Sequence, residues 1–182
     1  KVIIWTFACV NTPLENKFFD FLLSHSGKIF IYSTSSVYLH SYNEQIIDEN
    51  SELNMQKPRS LAEESYRSKG ACLLTLCGIA GPDRSPLSWL KKGLIKNANK
   101  DVNLIHVDDI VKITKILITE ELSSKRINLV PGVTYPWLAI AKSMNYEFNS
   151  DALLQKPSKK LIKSILLTKY LSKSYKFKKP LV

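Results

Sequence analysis

The segment from residue 29 to residue 38 reads Ile29-Phe30-Ile31-Tyr32-Ser33-Thr34-Ser35-Ser36-Val37-Tyr38, an apolar run that stops in four small hydroxyl residues. The β-branched and aromatic residues predict a buried strand, and the hydroxyl residues predict a polar site at its carboxyl end. In open α/β sheets, ligands bind beyond the carboxyl ends of the strands. The segment therefore predicts hydroxyl groups where that architecture holds its ligands.

The residues around this segment predict parallel strands joined by helices. The apolar run 2–10 is typical of a strand buried on both faces, and Asn11-Thr12-Pro13 then offers a cap with proline at a helix start. With the strand 28–32, this gives the strand–helix–strand crossover that parallel pairing requires. Further strands are predicted at 71–76 and 126–130, and helices at 59–69, 86–95, 108–117 and 136–144. The polar stretch 39–57 predicts a surface loop.

Charge is distributed unevenly along the 182 residues, of which 45% are hydrophobic. Residues 151–182 hold nine lysines and Asp151, a net charge of +8, whereas residues 1–150 carry a net charge of +2. A basic tail can contact phosphate groups of a nucleotide, a nucleic acid or an anionic membrane surface. Apolar spacing at Leu161, Ile165 and Leu166 instead favours an amphipathic helix docked on the body, so we do not expect nucleic acid as a partner.

The three cysteines, Cys9, Cys72 and Cys77, form no CxxC pair, and residues 1–5 do not have the layout of a secretory signal. They predict buried, reduced thiols in a cytoplasmic compartment; a catalytic thiol would need a basic neighbour. No apolar run reaches the length of a membrane-spanning helix, and no ligand set for a metal is predicted.

Three motifs in order resemble the extended short-chain dehydrogenases/reductases, the NAD-dependent epimerase/dehydratase group. Ser33–Tyr38 resembles their "STxxVY" strand end, Leu76–Arg84 their "LxGIyGPgR" segment, and Ile105–Ile110 their "ihVdDi" segment. The resemblance implies a partial Rossmann-like, doubly wound parallel α/β sheet with a small C-terminal helical lobe. It implies NAD or NADP as cofactor.

The resemblance also implies a domain division and an absence. Residues 1–135 would be the C-terminal part of the NAD(P)-binding domain, with 85–103 contributing to the substrate lobe, and 136–182 a basic substrate-side lobe. The family opens with a GxxGxxG turn that this sequence lacks, so its first strand is similar to the family's fourth. We expect that half of the nucleotide-binding domain is missing; a complete chain that pairs this bare edge with another subunit, as in a homodimer, is the alternative.

The catalytic groups implied by the resemblance are a Ser or Thr at the strand end, a Tyr about 25 residues later, and a Lys four residues after that. The lysine lowers the pKa of the phenol. Thr34 matches the first position, but counting on leads to Arg59 and Glu63, so the dyad is atypical or lost. Tyr66 and Lys69 are weak substitutes, and an ordinary helix-surface role is the alternative for Tyr66.

Binding roles are implied for several other residues. The resemblance assigns Thr6, Phe7, Ala8 and Ser33 to the cofactor, as it does Cys77, Gly78 and Ile79 near the nicotinamide; tight packing at strand ends explains these segments equally well. Ser35 and Arg84 are candidates for substrate binding, with a solvated loop arginine as the alternative for Arg84. For Asp108 we expect a helix N-cap rather than an acid, and for His106 a buried, hydrogen-bonded ring rather than a base.

The function implied is an NAD(P)-binding protein of the epimerase, dehydratase or reductase type acting on a nucleotide-linked sugar or related carbonyl. The alternative is a catalytically inactive nucleotide sensor or assembly factor on the same fold, which the loss of the Tyr/Lys pair favours.

Overall fold

The computed structural model describes residues 1–180, and its centre is a parallel sheet of four strands in the order β1-β2-β4-β8. The strands and helices are, in chain order, β1 Val2–Trp5, α1 Pro13–His25, β2 Lys28–Thr34, β3 Gln45–Ile47, α2 Pro58–Ser68, β4 Cys72–Leu76, β5 Gly78–Ala80, α3 Pro86–Lys91, β6 Asp101–Val102, β7 Leu104–His106, α4 Val107–Leu117, β8 Arg126–Leu129, β9 Tyr135–Pro136, α5 Trp137–Ser143, α6 Ser150–Leu153 and β10 Lys160–Ile162. The predicted parallel α/β class is confirmed.

Local sequence signals account for the start of α1 and the end of α2. The Thr12 hydroxyl accepts a hydrogen bond from the amide of Glu15, and Pro13 occupies the first helical position of α1, as predicted. At the end of α2, Gly70 adopts φ +109°, a conformation that L side chains rarely enter, and this lets the chain turn directly into β4.

Helices cover both faces of the sheet. On one face, Phe19 of α1 and Tyr66 of α2 pack against Ile29 and Ile31 of β2. On the other face, α4 packs against Phe30 and the apolar side chains of β4 and β8. Successive side chains of β2 thus lie in two cores, one on each face of the sheet. This is the three-layer arrangement of a doubly wound fold.

The two edges of the sheet differ. β1 pairs only with β2 among the described residues, and the side chains of Val2 and Ile4 are 45% and 42% exposed. The predicted strand 2–10 is too long, because the regular structure ends at Trp5. At the opposite edge, β8 is fully buried, since the C-terminal tail packs beside it.

The tail reaches the body by a route that its spacing does not predict. No amphipathic helix forms at residues 161–166; instead β10 pairs in parallel with β3, which lies inside the predicted loop 39–57. Ile162 and Leu167 are the buried tail residues that enter the main core. The amphipathic-helix prediction is therefore wrong, although the docking of this segment is confirmed.

A third, smaller core lies beside the sheet. Leu90 of α3 and Leu104 pack with Trp137, Ile140 and Ala141 of α5. The division of the chain at residue 135 stays a prediction, and its last two residues, 181 and 182, lie outside the described residues. Within residues 1–180, no helix is long and apolar enough to cross a membrane.

Candidate functional site

A cleft of about 290 Å³ lies at the carboxyl ends of β1, β2 and β4. This is the position at which parallel α/β sheets bind their ligands. The cleft is lined by residues that follow these strands and by two arginines: Thr6, Ala8, Tyr32, Ser33, Thr34, Arg59, Leu76, Cys77, Gly78, Ile79 and Arg84.

Eight of the residues that the sequence singled out line this cleft: Thr6, Ala8, Ser33, Thr34, Cys77, Gly78, Ile79 and Arg84. They come from three separate strand ends, and the parallel register brings them together. Phe7, Ser35, Tyr66 and Lys69 do not line it. The functional roles of all twelve residues stay predictions.

Thr34 ends β2 and caps the short 3-10 turn that follows. Its hydroxyl oxygen accepts a hydrogen bond from the amide of Ser36 at 3.4 Å, and the side chain is half-buried. A hydroxyl group that accepts one hydrogen bond can still donate its proton. Thr34 can therefore donate a hydrogen bond to a ligand in the cleft.

Ser33 is 3% exposed and joins a buried polar network beneath the cleft. Its hydroxyl donates to Glu63 Oε2 at 2.6 Å and accepts from Arg126 Nη1 at 3.1 Å. The same guanidinium donates to Thr75 Oγ1 at 3.1 Å. Ser33 is thus fixed by protein contacts, and Thr75, to which the sequence assigned no role, is part of this network.

Sequence reasoning missed Glu63 and Arg126 as partners. Glu63 is fully buried, Arg126 is 6% exposed, and Arg126 Nη1 and Nη2 each lie 3.2 Å from Glu63 Oε2. The available signal was an arginine at the start of a predicted buried strand, since a buried guanidinium requires a carboxylate or equivalent acceptors.

Close packing explains why residue 78 is a glycine. A Cβ on Gly78 would lie 2.8 Å from Leu104 Cδ2 and 3.0 Å from the carbonyl oxygen of Asn103, so the backbones of β5 and β7 require glycine here. Burial raises the pKa of the adjacent Cys77 thiol to about 12, which keeps it protonated and unreactive. All three cysteines are free and buried, as predicted.

Phe7 and Ser35 lie next to the cleft rather than in its wall. The Phe7 ring is 58% exposed and packs 4.5 Å from the Trp5 ring, where it lines a separate apolar depression with Val10 and Leu14. Ser35 lies in the 3-10 turn after Thr34.

Tyr66 is not a helix-surface residue, because its side chain is fully buried and stacks on Phe19. Its hydroxyl donates to Asn16 Oδ1 at 2.7 Å and to Glu15 Oε1 at 3.1 Å. Burial and the Glu15 carboxylate raise the pKa of this phenol. Lys69 forms an ion pair with Asp20 at 2.6 Å on the surface. These contacts hold both side chains away from the cleft.

The cap of α4 is His106 rather than Asp108. His106 Nδ1 accepts a hydrogen bond from the Asp108 amide at 3.1 Å, and the ring is 4% exposed, as expected for a buried, hydrogen-bonded histidine. The N-cap prediction for Asp108 is therefore wrong. Asp108 forms an ion pair with Lys178 at 2.8 Å, and this contact lowers the pKa of its carboxyl group.

A second cavity of about 470 Å³ lies beyond the carboxyl end of β8, between Val130–Gly132 and the tail residues Lys163–Phe177. It is larger than the strand-end cleft, but none of the predicted site residues lines it. In the described part of the chain, no group of three or more His, Cys, Asp or Glu side chains could hold a metal ion.

Comparison with solved structures finds the same fold at low sequence identity. A functionally unknown conserved protein from Silicibacter pomeroyi matches with a TM-score of 0.72 and 18% identity, over 93% of this chain and 70% of that one. The likeness shows the fold alone, a parallel α/β sheet that this chain shares with that protein.

Two further matches are structures of complexes with NAD. UDP-glucuronic acid 4-epimerase from Bacillus cereus, in complex with NAD, matches with a TM-score of 0.65 and 14% identity, over 92% of this chain and 66% of that one. MoeE5 in complex with UDP-glucuronic acid and NAD matches with a TM-score of 0.67 and 14% identity, over 88% of this chain and 64% of that one.

The chain thus spans about two thirds of the length of these structures. No protein-family model matches the sequence, and no curated protein matches it.

Proposed function

We propose that this chain is the strand-end part of an NAD- or NADP-binding site and that it takes a nucleotide-linked sugar or related carbonyl as ligand. The observation that carries the proposal is the convergence of Thr6, Thr34, Gly78 and Arg84 on one cleft at the carboxyl ends of parallel strands. The fold shared with an NAD-bound epimerase and with MoeE5 in complex with NAD supports it.

The residues of the cleft fit one end of a dinucleotide. Hydroxyl groups at Thr6 and Thr34 suit a ribose or a carboxamide, and Ile79 offers an apolar wall. A cleft of about 290 Å³ lies at the lower limit of ligand pockets, which are about 300–1,000 Å³, so a whole dinucleotide would extend beyond it. The sequence has no GxxGxxG turn to bind the pyrophosphate. When bound, such a cofactor supplies hydride transfer.

Binding without turnover is the second candidate, and a specific observation favours it. Among residues 1–180 the cleft contains no lysine, and its only phenol, that of Tyr32, is hydrogen-bonded to Thr114 Oγ1 at 2.8 Å. Arg59 lies where the resemblance puts the catalytic tyrosine, and a guanidinium does not release its proton near neutral pH. A nucleotide sensor or assembly factor would need only the binding groups.

The proposal includes the compartment, the partner and the oligomeric state of the chain. Free, buried thiols suit the cytoplasmic compartment that the sequence favours. The partner would be a small nucleotide-linked molecule rather than nucleic acid. A homodimer stays open as a way to cover the exposed apolar residues of β1.

The proposal is tested by titrating the chain with NADH and with NADPH and following nicotinamide fluorescence. Ala8→Trp fills the cleft from an exposed position, and Ala139→Trp, at an exposed position of α5, is the matched control. We expect binding of at least one nucleotide that Ala8→Trp weakens about tenfold or more and Ala139→Trp leaves unchanged. Absence of binding to the unchanged chain, or equal effects of the two variants, would contradict the proposal.

Turnover separates the two candidates. Nucleotide sugars are added with NAD, and both the sugar products, by chromatography, and the absorbance at the reduced-nicotinamide band are followed. Conversion of a sugar or net reduction of the cofactor would support the enzyme, whereas binding with neither change on any nucleotide sugar would support the sensor.

A further inference from the structure

Arg59 occupies the sequence position at which the resemblance expects the phenol of the catalytic dyad. It follows Thr34 by 25 residues, and Glu63 stands four residues later, where the dyad has its lysine. The structure places Arg59 in the first turn of α2 with its side chain in the wall of the cleft. An arginine–glutamate pair therefore replaces a tyrosine–lysine pair beside Thr34.

Two hydrogen bonds fix the guanidinium of Arg59. Its Nε donates to Glu63 Oε1 at 2.7 Å, and its Nη2 donates to the carbonyl oxygen of Tyr32 at 2.9 Å. Glu63 is itself fully buried and held by Ser33 and Arg126. Because the supporting carboxylate cannot move, the arginine is preorganised, with 25% of its side chain exposed.

Nη1 is the part of this group that no protein acceptor uses. Within the described chain, the hydrogen bonds of Arg59 involve Nε and Nη2 alone. A guanidinium has five N–H donors, so several remain for a ligand. Because Arg59 lines the cleft and 25% of its side chain is exposed, a ligand in the cleft can reach its free N–H groups.

The local charge favours an anion. Among residues 1–180, the charged side chains that line the cleft are those of Arg59 and Arg84, and no carboxylate lines it. In the network below it, three arginines (Arg59, Arg67 and Arg126) face two glutamates (Glu63 and Glu64), which leaves one positive charge in excess. Fixed positive charge in a partly desolvated cleft attracts oxyanions.

We infer that Arg59 binds an oxyanion, either a carboxylate or a phosphate, of the ligand that enters the cleft. The inference rests on the proposed function for the nature of that ligand, a nucleotide-linked sugar. In this chain, Arg59, supported by Glu63, thus recognises an anion at the position where the resemblance expects a proton-transfer dyad. The carboxylate of a sugar acid and the diphosphate of a nucleotide share this chemistry, and they are separated by experiment.

The test measures calorimetric binding of UDP-glucuronate, UDP-glucose and UDP to the chain and to three variants. Arg59→Gln removes the charge, and Arg59→Lys keeps the charge without the forked donors. Arg67→Gln is the matched control, because Arg67 lies on the same helix and pairs with Glu64 but does not line the cleft. NADH binding is measured for each variant by fluorescence.

We expect Arg59→Gln to weaken nucleotide-sugar binding by about tenfold to a hundredfold, Arg59→Lys to lie between, and Arg67→Gln to stay within about twofold. All three variants still bind NADH, which shows that their cleft forms. Loss of affinity for UDP-glucuronate alone assigns the anion to the sugar carboxylate, and loss for all three ligands assigns it to the diphosphate.

The inference is overturned if Arg59→Gln and the unchanged chain bind all three ligands equally, if Arg67→Gln is as harmful as Arg59→Gln, or if NADH binds and no UDP ligand does. A chain that binds UDP ligands through Arg59 but not NADH keeps the inference and removes the cofactor from the proposed function. A chain that binds nothing removes both. If Arg59→Gln fails to fold, Arg59→Lys decides by the same criteria.

Discussion

At the scale of single residues, Glu63 controls the geometry beneath the cleft. Its two oxygens accept hydrogen bonds from Ser33, Arg59 and Arg126, which belong to β2, α2 and β8. A fully buried carboxylate is tolerated only because these donors satisfy it. The same contacts join a strand end to the helix that carries Arg59.

Replacement of this carboxylate should be costly. Glu63→Gln removes the fully buried one of the two carboxylates that pair with Arg126 and leaves only Glu64, at 2.9 Å, so we expect a loss of about 3 kcal/mol in the free energy of unfolding. Urea denaturation measures it. Glu121→Gln is the control, because Glu121 also forms an ion pair, with Lys28 at 3.6 Å, but its side chain is 97% exposed. The control should lose less than about 0.5 kcal/mol. Equal losses would show that the buried network does not stabilise the fold.

Single residues also show which contacts can be predicted from the sequence and which cannot. Thr12 and Pro13 predict the start of α1 because the contacts involved span three residues. The contact between Glu63 and Arg126 joins residues 63 apart, and no local pattern encodes it. His106 and Asp108 are both able to cap α4, and only the backbone geometry decides in favour of the histidine.

At the scale of elements, the two edge strands of the sheet have different environments. β8 is covered by the tail, whereas β1 exposes its outer edge and the side chains of Val2 and Ile4. An exposed apolar edge strand is a template for pairing with another chain.

A charge on this edge should therefore reduce self-association. We expect Ile4→Lys to raise, by about tenfold, the concentration at which the chain associates in sedimentation velocity experiments. Val111→Lys is the control, because Val111 is 48% exposed but lies on α4, whose backbone is already hydrogen-bonded. If both variants act equally, exposed apolar area rather than the strand edge drives association.

The tail illustrates why element predictions fail without tertiary information. Leu161, Ile165 and Leu166 have a spacing that suits a helix. In the structure, β10 instead pairs with β3, and Glu49 accepts hydrogen bonds from the amides of Asn128 and Ile165, the second of which is 116 residues away. A strand of three residues that pairs with a distant one leaves no local signature.

At the scale of the whole molecule, two asparagines attach the tail to the body. Asn103 donates to the carbonyl oxygen of Lys160 at 2.9 Å and accepts from the amide of Ile162 at 2.9 Å. Asn128 donates to the carbonyl oxygen of Lys163 at 2.9 Å. The lysine-rich segment is thereby held against the sheet, with Lys160 half-buried and Lys159 and Lys163 exposed.

Loss of Asn103 should release this segment. Asn103→Ala removes two buried hydrogen bonds at a cost of about 2 kcal/mol, so we expect trypsin to cleave after the tail lysines at least about tenfold faster. Mass spectrometry of the fragments measures the rate. Asn50→Ala, at an exposed asparagine, should leave it unchanged. Unaltered cleavage in Asn103→Ala would mean that other contacts hold the tail.

Parallel topology explains why the sequence could predict most of the cleft. Once strands at 28–34 and 72–76 are parallel neighbours, Thr34 and Gly78 must lie at the same edge of the sheet. The sequence pattern marks Arg59 only as a residue that cannot serve as the catalytic tyrosine. Its orientation depends on Glu63 and Tyr32, which fold it back over the strand end.

We propose that the ligand binds at the carboxyl ends of β1, β2 and β4. Amide chemical-shift mapping by nuclear magnetic resonance, with NADH and UDP-glucuronate added to the isotope-labelled chain, tests it most directly. We predict that the largest shifts fall on residues 6–8, 33–36 and 77–84. Shifts centred instead on the tail cavity at 130–132 and 163–177, with the strand ends unaffected, would contradict it.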